Sequence, residues 1–209
     1  MPINNKLTAE MKTIKSEILG ELKQNDRFKD YWESEFIEIP FFDNKKMKIT
    51  FMDFIPEGDT KFITEADKAL QAFLQKSEVD RLLISNLAYE NCMDFLNAVE
   101  FDEADQPLWN IKEKKQIWKF IYPQDIYVTR SHDKFGTIYL NIACDCEWEQ
   151  EHGLQLLFKE GEKLTRISEQ DGHITEFDSY DKTNVLNSDF NQLNLNENKS
   201  KTKWWRFWK

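Results

Sequence analysis

Residues 144–153, Cys-Asp-Cys-Glu-Trp-Glu-Gln-Glu-His-Gly, hold the densest set of chemically capable side chains in the sequence. In an extended strand alternate residues share a face. Ile138, Leu140, Ile142, Cys144, Cys146 and Trp148 then form an apolar row, and Tyr139, Asn141, Asp145, Glu147 and Glu149 form a second row that Glu151 continues. Two thiols two residues apart, with no second pair nearby, lack the roughly four Cys/His ligands of a structural zinc site. They read as small hydrophobes of the core. The carboxylates at Asp145, Glu147 and Glu149 repel one another and call for compensation. Cross-strand cations (Lys159 or Arg166), a bound cation or a basic partner would each serve.

A second motif, Asp171-Gly172-His173, follows after two short strands. In an antiparallel meander the turns alternate ends. The 149–153 turn then lies beside 169–173, with the 131–136 and 161 turns, and His132, at the other end. Glu149, Glu151, His152, Asp171 and His173 could converge there. Two His with carboxylates suit a divalent metal or an acid–base pair, so a metal-binding module or metal-dependent hydrolase is the alternative function. A hydrogen-bonded turn needs the same residues, with no chemistry implied. No Gly-rich phosphate loop, nucleophile elbow, HExxH pair or EF-hand loop occurs, and six glycines leave little for a cofactor cradle. No cofactor is expected.

The elements that must position these residues follow from periodicity. Met11, Ile14, Ile18 and Leu22, after Thr8 as a cap, predict an N-terminal helix over 8–31. Residues 35–42 and 47–54 alternate about Asp43-Asn44-Lys45-Lys46 and predict a hairpin, with Pro40 at an edge. Thr64 and Asp67 resemble a capping box for a helix ending near 76. Ser77 starts another over 78–99, with Val79, Leu82, Leu83, Leu87, Phe95, Leu96 and Val99 as its stripe. Residues 101–107 read as an exposed acidic connection, and 111–121 as a short helix that Pro123 ends. From 125 the period becomes two, predicting strands at 125–130, 137–148, 154–160 and 163–168.

The 209 residues carry 38 acidic and 28 basic side chains, a formal charge of −10 that argues against nucleic acid as partner. The balance is uneven. Residues 199–209 hold five cations and no acid, so the other 198 carry 23 basic against 38 acidic residues, or −15. That tail places Trp204, Trp205, Phe207 and Trp208 among Lys203, Arg206 and Lys209. The composition suits docking on the chain's own body or on a second copy, an interface anchor, weak membrane contact, or stacking on nucleic-acid bases. The first residues lack the apolar core of a secretory signal, no run is apolar enough for a membrane-spanning helix, and three Cys fit no disulfide framework. A reduced, cytoplasmic setting is expected.

The order of features resembles an uncharacterised bacterial domain family. The resemblance runs through EIPFF, KALQAFL and IWKFIYPQDIYV and peaks at CDCEWEQEHGLQLLFKEGEKLTRISEQDGHIT, covering residues 35–175. It looks like the small intracellular proteins found among bacterial toxin–immunity and accessory genes. It implies a fold unit more than a reaction.

These readings combine into one expectation. An α+β domain over 35–178 has about six antiparallel strands, a hairpin plus a four-strand meander, with helices on one face. A helical extension (1–34) precedes it, and a polar Asn-rich arm (179–203) and an aromatic–basic tail (204–209) follow. The expected function is non-enzymatic: a cytoplasmic binding module, of immunity type, for a basic protein partner. Its candidate contacts are Asp145, Glu147, Glu149, Glu151, His152, Asp171 and His173, with Trp204, Trp205, Arg206, Phe207 and Trp208 as a tail contact.

Overall fold

One apolar row of side chains runs across almost the whole width of the sheet. Ile14, Leu22, Trp32, Phe51, Val128, Leu140, Phe158 and Leu164 lie at paired or adjoining register positions of successive strands. The computed structural model describes residues 12–132 and 135–174. The strands are β1 (Thr13–Ser16), β2 (Gly20–Gln24), β3 (Trp32–Glu33), β4 (Ile37–Ile39), β5 (Lys45–Met47), β6 (Ile49–Phe51), β7 (Ile121–Arg130), β8 (Ile138–Cys146), β9 (Leu154–Lys159) and β10 (Lys163–Ser168). Eight of them form one sheet in the order β1-β2-β3-β6-β7-β8-β9-β10, and β4 and β5 form a separate two-stranded ribbon. The main sheet is therefore larger than the expected six strands. Its pairings are antiparallel except β6–β7. That parallel pair requires a crossover, and the helices supply it: α1 (Phe62–Leu74), α2 (Glu78–Leu83), α3 (Ser85–Ala98) and α4 (Gln106–Trp109), with a 3₁₀ segment at Lys114–Phe120.

The helices pack on the apolar face. α1 meets β1, β7 and β8, and α3 meets β10. Phe41, Phe73 and Phe158 meet there with ring centroids 5.1–5.6 Å apart. Gly161 lets the β9–β10 turn press on α1. A Cβ at this φ of +71° would stand 1.8 Å from the Ala69 carbonyl oxygen, so only glycine fits without displacing backbone.

Four expectations are corrected. The described part of the predicted N-terminal helix, from residue 12 on, is the β1–β2 hairpin and belongs to the sheet instead of forming a helical extension. Ile14 and Leu22 are cross-strand partners, which places them on one face just as helical spacing would, and Gly20 takes a φ of +77° at the turn. The capping pair at Thr64 and Asp67 does not form. Asp59 Oδ1 instead accepts the Lys61 and Phe62 amides, so α1 starts earlier. Asp67 is buried and accepts the Ser16 hydroxyl and, at 2.8 Å, the Glu17 amide, tying β1 to α1. The long helix over 78–99 breaks at Ile84, although Ser77 caps its start as expected, with Asp80 returning to the Ser77 amide at 2.8 Å. The break turns the stripe: Val79 and Val99 are exposed, and Ile84, Ala88, Cys92 and Leu96 are buried. Finally, Pro123 does not end a helix. It lies inside β7, beside a register shift, where its missing N–H costs no ladder bond.

The four-strand meander β7–β10 matches the expected strands closely. The β4–β5 ribbon pairs Ile37 with Met47 as a hairpin. Asp43 and Asn44 supply the positive-φ turn at φ 54° and 61°.

Candidate functional site

β8 carries its two rows as alternation requires. Ile138, Leu140, Ile142, Cys144, Cys146 and Trp148 are buried. Trp148 donates its indole N–H to Asn91 Oδ1 at 3.1 Å, which anchors the strand's end to α3. All three cysteines are free and buried. Burial pushes the Cys92 and Cys146 thiols up to about 12, and Cys144 higher still. Thiols so far above neutrality are not nucleophiles, so the reading of core thiols stands.

The opposite row changes character along the strand. Register sets Lys23, Glu33, Thr50, Tyr127, Asn141, Leu157 and Arg166 in line across the sheet's second face. Tyr139, Ala143, Gln155 and Leu157 on this face are buried. Residues 169–173 turn back over it. Gln155 Nε2 reaches Ser168 Oγ, Asp171 Oδ1 and the His173 carbonyl at 3.0–3.3 Å. Arg166 pairs with Asp171 and donates to the His173 carbonyl at 3.1 Å. Burial raises the Asp171 carboxyl, but the His173 amide and the Arg166 charge outweigh it and hold the group below its ordinary range.

Beyond this covered part the carboxylates emerge. Asp145 and Glu147 are exposed. Both accept hydrogen bonds from neutral groups of β7: Gln124 Nε2 to Asp145 at 2.5 Å, and Tyr122 Oη to Glu147. The bond to Glu147 raises the Tyr122 hydroxyl above its usual value. No Lys or Arg pairs with Asp145, Glu147 or Glu151 among the described residues. The expected cross-strand neutralisation does not occur. Arg166 is engaged with Asp171, and Lys159 pairs with Tyr139, six positions along β8 from Asp145, or about 20 Å. Glu149 behaves differently. Its carboxylate is mostly buried, accepts the Glu151 and His152 amides at 3.2 and 3.1 Å, and lies 3.4 Å from His152 Nδ1. It shapes the turn.

The predicted approach of the 149–153 turn to 169–173 is present. Gln170 Nε2 donates to the Cys144 carbonyl at 3.2 Å and sits 2.7 Å from where a Cβ at Gly153 would be. The side chains divide into two sets, however: His152 with Glu149, and His173 with Asp171 and Arg166. No group of three His, Cys, Asp or Glu among the described residues is arranged to hold a metal ion. Trp204, Trp205, Arg206, Phe207 and Trp208, with the arm before them, lie outside the described residues.

Sequence reasoning misses Tyr122 and Gln124, because Pro123 reads as a helix stop. Their alternation with Ile121 and Pro123 was the available signal.

These features define an α+β domain whose sheet is closed on one face by helices and carries carboxylates at one end of the other. Residues 18–174 match the model of a domain of unknown function, DUF6985, and the chain belongs to that family. No curated protein and no solved structure matches the chain. No helix among the described residues is long and apolar enough to cross a membrane.

Proposed function

We propose that this chain is a non-enzymatic binding module of the bacterial cytoplasm, of immunity type, that neutralises a basic protein partner through Asp145, Glu147 and Glu151. The observation that carries this reading is the state of those carboxylates. They are exposed and lie along β8 and its turn; Asp145 and Glu147 accept from neutral donors, and no Lys or Arg among the described residues pairs with any of the three. Tyr122 and Gln124 fix the side chains of Asp145 and Glu147 without cancelling charge, so little side-chain entropy remains to be lost on binding. A partner presenting Lys or Arg would supply ion pairs that the described residues do not make. An acidic surface of this kind chiefly speeds and orients encounter. The −15 balance of residues 1–198 extends the attraction beyond direct contact, out to about 10 Å in ordinary salt.

The test is affinity capture on immobilised full-length chain, with a D145N/E147Q/E151Q variant alongside. A basic protein retained by the native chain, released by salt and not retained by the variant is the expected result. Equal retention by both chains, or no retention at any salt, removes the reading.

A further inference from the structure

A second site lies where β4–β5, α2 and the start of β7 meet. It is a pocket of about 250 Å³, bounded by Phe42, Asp43, Lys45, Arg81, Trp118, Tyr122 and the neighbouring Ile121 and Pro123. Five of these eight residues are aromatic or aliphatic. It holds two cations, Lys45 and Arg81.

Arg81 is only 9% exposed. Its guanidinium lies 5.6 Å from the Trp118 ring centroid, and Trp118 is itself fixed by its indole N–H to Ser85 Oγ at 2.9 Å. Nη2 lies 2.8 Å from Asp43 and 3.9 Å from Glu78. Nε is buried and has no hydrogen-bond partner. An arginine serving only to fasten α2 to the 43–45 turn would normally have its buried donors satisfied. Lys45 Nζ donates to the Pro123 carbonyl, a neutral acceptor that leaves its charge uncompensated there. The pocket lining thus carries two cations against one carboxylate, Asp43, whose side chain is 58% exposed.

We propose that this pocket binds an apolar carboxylate, its acid group between Arg81 and Lys45 and its apolar body against Phe42, Trp118 and Pro123. The carboxylate neutralises the Lys45 charge and joins Asp43 and Glu78 as an acidic partner of the guanidinium. The volume falls just short of the ~300 Å³ at which drug-sized pockets begin, which limits the occupant to a small acid or a single residue of a polypeptide. The site adjoins the carboxylate row through Tyr122 but does not depend on its role. A free acid and the carboxyl end of a polypeptide share this chemistry.

The experiment follows the Arg81 Nε–H signal by ¹H–¹⁵N NMR in the full-length chain, assigned with Arg81→Lys. The probes are 3-phenylpropionate, its amide, and Gly-Gly-Phe with a free or an amidated carboxyl end. The free acids are expected to shift the Arg81 signal saturably, and the amides are not. Lys45→Gln keeps an N–H for the Pro123 carbonyl but removes the charge, so the fold should survive while affinity falls about fivefold or more. A peptide binding about tenfold tighter than phenylpropionate would assign the site to a polypeptide end, and equal affinities would assign it to a small acid. No shift with either acid at about 10 mM, equal binding of the amides, or undiminished affinity in Lys45→Gln overturns the proposal.

Discussion

The two rows of β8 share a backbone and differ in almost everything else. Ile138 to Cys146 on one side face Phe41, Phe73 and the helices, and their environment is closed. On the other side Tyr139 and Ala143 are buried, but Asp145 and Glu147 at the strand's end are exposed. Alternation alone decides which residues point which way. Whether an outward residue is covered or exposed depends on what the rest of the chain lays over it. The first row makes the fold, and the end of the second carries the carboxylates of the proposed contact.

Substitutions should separate the two regions sharply. The largest effect is expected from Phe158→Ala, which empties the centre of the aromatic cluster and should cost about 4 kcal/mol in urea unfolding. Gly161→Ala should follow at about 3 kcal/mol, since it adds a disfavoured positive φ to a clash with the Ala69 carbonyl. A loss below about 1 kcal/mol for either would mean that this face is not packed as described. On the covered part of the second face, Asp171→Asn should destabilise by a smaller, pH-dependent amount. The folded carboxyl titrates below its unfolded value near ~3.9, so its contribution is present above that pH and is lost as pH falls through the folded value. Unfolding curves of the native chain and Asp171→Asn should therefore diverge at neutral pH and converge in acid. A difference that persists unchanged in acid would assign the effect to packing. The smallest effect should come from D145N/E147Q/E151Q, within about 0.5 kcal/mol, because these carboxylates are exposed and the partners of Asp145 and Glu147 are neutral. The thiols provide one further contrast. Native chain should not react with a thiol reagent at pH 8, whereas denatured chain should expose all three cysteines.

Much of the fold was legible where the pattern had one reading. The β7–β10 meander was marked by alternation and by Gly153 and Gly161, and Ser77 marked the start of α2. The β1–β2 hairpin was not, because Ile14, Ile18 and Leu22 satisfy a helical spacing as readily as they place Ile14 against Leu22 across a tight turn. The decisive contacts there, Ser16 and Glu17 to Asp67, join residues some fifty positions apart, and local pattern carries no trace of them. The carboxylate row was legible for the same reason as the meander. Its neutral donors, Tyr122 and Gln124, were not, since they depend on β7 beginning at Ile121. The expected His–carboxylate convergence brought the right segments together. Side-chain pairing inside each segment, His152 with Glu149 and Asp171 with Arg166, then divided them.

The central claim is that Asp145, Glu147 and Glu151 recognise a basic protein while contributing little to the fold. Its most direct test is side-by-side capture by the native chain and by D145N/E147Q/E151Q, at low and high salt, with equal unfolding midpoints confirmed beforehand. A basic protein held by the native chain at low salt, released at high salt and absent from the variant is the predicted result. A variant that folds equally well and retains the same proteins would contradict the account.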